Sequence, residues 1–97
     1  MATKPPVTLQ EDWATTLQPW LERVSAHLDV RCVDLDVDRV HVMTGVVAEG
    51  VQRSMAPISA FLVGAAVARG ASLEEACTAV EAVTAAAHRP VEHDELC

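Results

Sequence analysis

The sequence predicts an all-α fold, a small antiparallel bundle of about four helices, and three observations carry that prediction. Apolar residues recur with helical period in three separate stretches, two Ser/Thr-x-x-Glu capping boxes mark helix starts, and the stretch that alternates with period two is too short to build a sheet alone. The chain has 97 residues, enough for one domain, and is 51% hydrophobic but only 3% aromatic, so its core must be assembled from Val, Ala and Leu.

The first signal is Thr8 with Glu11, a capping box that predicts a short helix near residues 9–15, with Leu9 and Trp13 on its apolar side. Pro19 cannot donate to the Thr15 carbonyl, so a second, longer helix is expected to restart at about 17 and run to 28. Its stripe is Leu17, Trp20, Leu21, Val24 and Leu28, at i, i+3, i+4, i+7 and i+11. Residues 29–36 read as a loop. From Val37 to Arg53, the polar positions Asp38, His41, Glu49 and Gln52, together with Gly45, fall within about 80° of one another at 100° per residue. One narrow face is therefore expected to be wet and the rest of that helix buried. Pro57 suits a first helical turn, and the run to Arg69 before Gly70 is apolar on every side. Within it Ala60, Gly64 and Ala68 form a small-residue track, and the surface around Ala60, Val63, Gly64 and Val67 is expected to be an exposed or partner-covered interaction patch. The last helix starts at the second capping box, Ser72 to Glu75, and carries Leu73, Ala76, Cys77, Val80, Val83, Thr84 and Ala87 inward until Pro90 stops it. These patterns group residues 1–15 as an N-terminal extension with a short helix, 16–89 as the bundle domain and 90–97 as a flexible tail.

Charge and cysteines exclude several classes. Fourteen acids against seven bases leave a formal charge of −7, which repels phosphate backbones and anionic lipid, and the six arginines are scattered singly. Neither nucleic acid nor a membrane is an expected partner. The longest uncharged run, residues 54–68, would reach only about 22 Å as a helix, short of the roughly 30 Å bilayer core. With no apolar signal segment near the start, the chain is expected in the cytoplasm with its three cysteines reduced. Cys32, Cys77 and Cys97 are spaced 45 and 20 residues apart, which fits neither a disulfide framework nor a CxxC zinc site.

The chemical leads each have a plainer explanation. Asp34, Asp36 and Asp38 open like a calcium loop, but Arg39 stands where glycine is needed and Gly45 where the bidentate glutamate belongs. His88, His93 and Cys97 are zinc-ligand types at a spacing no zinc motif uses. His41 and Glu49 share a face about 12 Å apart along the axis, too far for a proton relay. Ser54 and Ser59 lack the nucleophile elbow, and Cys77 lies on the inward stripe. Arg53, beside the start of the third long helix, is the one candidate for holding a carboxylate or phosphate. With no nucleophile, base and orienting group to assemble, the protein is expected not to be an enzyme and to carry no cofactor of its own.

The stretch from Val47 to Ala66, with Gly50-Val51, Arg53, Ala56-Pro57 and Phe61-Leu62-Val63-Gly64-Ala65-Ala66 in that order, resembles the signature of a small actinobacterial helical family of uncharacterised function. The Trp20-Leu21 helix with Leu28 and the Asp36-Val37-Asp38 entry resemble that family's first half, so the likeness covers roughly residues 16–87. Glu49 stands where many relatives have histidine, and Ser54 where proline follows the basic residue. Members of that family occur beside formate dehydrogenase genes or fused to the enzyme that attaches guanosine monophosphate to molybdopterin. The resemblance implies a non-catalytic accessory protein in molybdenum-cofactor supply or of a molybdenum-dependent formate dehydrogenase. Its expected partner is that dehydrogenase, as whose small subunit it would serve, or a cofactor-maturation enzyme; self-association is open. The alternative is a small helical module that binds an anion or the pterin cofactor near Arg53.

Overall fold

Pro19 sets how the first long helix begins. In the computed structural model of the chain, which describes residues 6–30 and 35–87, a 3₁₀ turn at Val7–Leu9 is followed by a π-helical turn at Trp13–Leu17 that runs directly into α1, Gln18–His27. The amides of Leu17 and Gln18 reach back five residues, to the carbonyls of Asp12 and Trp13. Widening the turn in this way makes room for a ring that lacks an N–H and would crowd the Thr15 carbonyl. The short helix expected at 9–15 is thus replaced by a 3₁₀ turn and a π turn. Thr8 does not close a capping box with Glu11. Its amide and its hydroxyl both donate to the Asp38 carboxylate instead, at 3.1 and 2.5 Å. A side chain 30 residues away takes the Thr8 amide, the donor that the Glu11 carboxylate would have accepted in a local capping box.

Helix α1 ends in a Schellman turn in which Asp29 takes the left-handed conformation, φ 58°, while the Val30 amide donates to the Ser25 carbonyl and the Asp29 amide to that of Ala26. The expected stripe is only partly inward: Leu17, Leu21 and Val24 are half-buried, whereas Trp20 at its edge and Leu28 at the C-cap are exposed.

Three further helices follow, α2 at Val37–Gly50, α3 at Met55–Ala68 and α4 at Leu73–Ala87. No strand occurs among the described residues, so the chain is all-α, a small helical bundle as the stripes predict. It divides into two compact units, Met1–Asp38 and Arg39–Cys97, a boundary inside the 16–89 segment that periodicity groups together. Helix α2 stops three residues before the expected Arg53, where the amides of Val51 and Gln52 both turn back to the Val47 carbonyl. Starting α3 at Met55 leaves Pro57 in the first turn, where an amide needs no intrahelical partner. Gly70, at φ 113°, closes α3 with the second Schellman turn, its amide donating to Val67 and that of Ala71 to Ala66. Ser72 then caps α4, its hydroxyl oxygen accepting the Glu75 amide at 3.0 Å as the second capping box predicts.

In the second unit the core is Met43 and Val47 of α2, Val63 of α3 and Cys77 of α4, with Val40, Leu73, Ala76 and Val80 packed against it. Arg39 at the start of α2 pairs with Glu74 at the start of α4, and Gly50 at the end of α2 meets Thr84 near the end of α4. The two helices therefore run in the same direction, and α3 returns between them in sequence. Two burial expectations need correcting. Helix α2 is not buried on all but one face, since Val42 and Val46 are exposed along with its polar positions, as is Val51 just past its end. On α4, Val83 is exposed rather than inward. With three helices among its described residues, the unit covers one stripe of each, about a third of its circumference, whatever the composition of the remainder.

Candidate functional site

Polar chemistry concentrates at one place, and it is structural. The Arg39 guanidinium donates from Nε to Glu74 Oε1 at 2.8 Å, from Nη1 to Glu81 Oε2 at 2.7 Å and from Nη2 to Glu81 Oε1 at 2.8 Å, with Thr78 Oγ1 3.3 Å away. Thr78 in turn donates to Glu74 Oε2 at 3.1 Å. The fork on Glu81 is bidentate, the geometry that makes arginine–carboxylate pairs strong. With its side chain only 17% exposed, Arg39 is held still more firmly protonated by the hydrogen bonds it donates to Glu81 and then to Glu74. The Arg39 hydrogen bond, then that of Thr78, draws the Glu74 carboxyl below the usual carboxylate range. Sequence reading met Arg39 only as the residue that spoils a calcium loop. The available signal was Glu74, Thr78 and Glu81 at i, i+4 and i+7 on one face of α4, a ladder waiting for a cation.

The other leads are dispersed. His41 and Glu49 are exposed on α2, and Cys77 is fully buried in the core. Ser59 is buried, with its hydroxyl donating to the Ala56 carbonyl at 2.7 Å and lying 3.4 Å from Met43 Sδ. Among the described residues no three His, Cys, Asp or Glu side chains come together to hold a metal ion. Asp34, His88, His93 and Cys97 lie outside the described residues. Arg53 is exposed in the turn before α3, and its side chain makes no ion pair among the described residues.

What the structure does gather is apolar surface. Of the four residues expected to form an interaction patch, Val63 is a core residue, only 3% exposed, so it cannot present itself to a partner. Ala60 is half-buried, while Gly64 and Val67 are exposed. At Gly64, the middle of the small-residue track, a side chain would find open space, and the close approach is at Gly50, where an added Cβ would stand 2.5 Å from the Thr84 methyl. The outward stripe of α3 is instead Ile58, Phe61, Leu62 and Ala65, at i, i+3, i+4 and i+7, all exposed and Phe61 by 75%. Beside it runs a groove of about 340 Å³ between α3 and α4, walled by Ile58 and Leu62 on one side and Ala79 and Val83 on the other, with Val47 and Met55 at its end. The hydroxyls that border it, Ser59 and Thr84, are both committed to carbonyls of their own helices. A polar small molecule finds no handle there; an apolar side chain does. That Val63 turns inward follows from symmetry: a helix apolar all round has no moment to say which side faces in, and Met43 and Cys77 decide it.

No helix among the described residues is long and apolar enough to cross a membrane. Compared with known proteins, residues 12–95 match the model of a domain of unknown function, DUF6457. No curated protein and no solved structure matches.

Proposed function

Taking as premise that the chain belongs to the DUF6457 family, which spans residues 12–95, we propose that it is a non-catalytic interaction module whose outward α3 face docks on a protein. The observation that carries this reading is the exposed apolar stripe and the groove beside it, in a chain of 97 residues that carries a net charge of −7. Monomeric proteins seldom leave a contiguous apolar surface of this kind uncovered, and a polar rim around it marks a contact site. The sequence resemblance supplies the partner: a molybdenum-dependent formate dehydrogenase, with this chain as a small subunit, or an enzyme that matures its cofactor. The setting for that partnership is the cytoplasm.

The non-catalytic part rests on the dispersal of His41, Glu49 and Cys77 and on the internal bonding of Ser59. The competing reading, an anion or pterin held at Arg53, is favoured by the absence of any ion pair for that arginine among the described residues. Against it stands the groove, which offers no uncommitted polar group. Mild purification of the native protein followed by partner identification tests both. Co-purification of a dehydrogenase or maturation enzyme is the expected result. A lone monomer with bound nucleotide-like absorbance would favour the Arg53 reading, and turnover of formate by the protein alone would end the non-catalytic one.

A further inference from the structure

We propose that the outward face of α3, with the groove beside it, accepts an amphipathic helix whose apolar stripe is flanked by carboxylates at both ends; the proposal deepens the interaction-module reading and rests on it. Helix α3 spans 14 residues without one charged side chain, yet an arginine stands at each end, Arg53 just before it and Arg69 at its C-cap. Arg69 also falls at i+11 of the stripe formed by Ile58, Phe61, Leu62 and Ala65. Both arginines are exposed, and neither side chain makes an ion pair among the described residues, whereas Arg39 is fully engaged. The face is therefore an apolar strip about 21 Å long, bracketed by positive charge in a chain whose net charge is negative.

That arrangement chooses between occupants. A helix laid in a groove contributes i, i+3, i+4 and i+7 anchors, and four turns of such a helix match the strip in length. A second copy of the chain fits poorly. Twofold pairing of α3 with its copy brings arginine against arginine at both ends, whether the helices run parallel or antiparallel, and two acidic chains repel one another besides. Glutamate or aspartate flanks on a foreign helix meet Arg53 and Arg69 with complementary charge, which fixes register and direction while the apolar stripe supplies contact area.

The probe is a synthetic amphipathic peptide of about 18 residues, long enough to span roughly 27 Å, with leucines at helical spacing and paired glutamates at each end. A control peptide carries lysines in their place. Binding to the full chain is read by fluorescence anisotropy at low salt. The glutamate peptide is expected to bind the wild type roughly tenfold or more tighter than the lysine peptide, and the double variant R53E/R69E to reverse that preference. Phe61→Asp should weaken binding of the glutamate peptide by a similar factor, with circular dichroism and melting temperature near wild type because the ring is exposed. Should Phe61→Asp disturb folding after all, the arginine variants decide, since they leave the apolar strip intact. Equal binding of the two peptides overturns the proposal, as does self-association of the wild type that Phe61→Asp abolishes, which would assign the face to a second copy. Native co-purification separates the two readings. A partner retained equally by wild type and Phe61→Asp leaves the module and removes this surface; charge-selective peptide binding without any native partner does the reverse.

Discussion

At the scale of single residues, Arg39 of α2 makes ion pairs with two carboxylates of α4, Glu74 and Glu81. It reaches two carboxylates and a threonine from a position that is mostly shielded, so its desolvation is offset only because nearly every donor is matched. The pH behaviour follows from Glu74. Its folded-state pKa lies below its ordinary value of 4.5, so the contact contributes stability above that value and loses it as pH falls through the lowered one. Because Glu74 is well exposed, salt should weaken the contribution. In urea titrations the midpoint of Glu74→Gln is expected to fall below wild type at pH 7, with the gap closing in strong acid. A gap of the same size at low pH would mean that the carboxylate's charge is not what holds Arg39.

At the scale of elements, the decisive contact is the meeting of α2 and α4 at Gly50 and Thr84. Thr84 is buried, and its hydroxyl is tied to the Val80 carbonyl at 2.7 Å, which fixes the methyl that faces Gly50. Gly50→Ala forces the helices apart or turns the threonine out of its bond, and is expected to cost about 1–3 kcal/mol, in the range of overpacked cores. Adding Thr84→Ser removes only the methyl in the way, so the double variant should recover most of that loss in a thermal melt. Additive losses from the two changes would place the strain elsewhere. Gly64, though it sits mid-helix in a run of small residues, takes no part in any such approach. The two glycines thus have opposite roles, set by the helix that Gly50 meets and Gly64 does not.

At the scale of the whole molecule, burial is unevenly distributed. The fully buried side chains Met43 and Cys77 belong to the unit Arg39–Cys97, whereas no residue of the 3₁₀ turn, the π turn or α1 is buried. Local opening follows the density of buried apolar contacts. Native-state hydrogen exchange should therefore show the slowest amides around Met43, Val47, Val63 and Cys77, and faster exchange through α1 despite its regular backbone. Equal protection of α1 and α4 would show that the first unit gains stability from a source other than its own burial.

The sequence by itself determined the helical class, the Ser72 cap, the Gly70 stop, the place of Pro57 in the first turn of α3 and the inward stripe of α4 from Leu73 to Val80. Each of these depends on a residue and neighbours within a turn or two, so local spacing encodes it. It also determined the membership of a family, which speaks for fold before function. The tertiary structure alone decided three things. Thr8 bonds to Asp38 rather than capping its own turn, because a distant carboxylate offers two acceptors at once. Arg39 locks α2 to α4, because partners 35 and 42 positions away come within reach only after folding. The buried side of α3 contains Val63, leaving Ile58, Phe61 and Leu62 outside, because a helix apolar around its whole circumference carries no orientation until its neighbours claim one face.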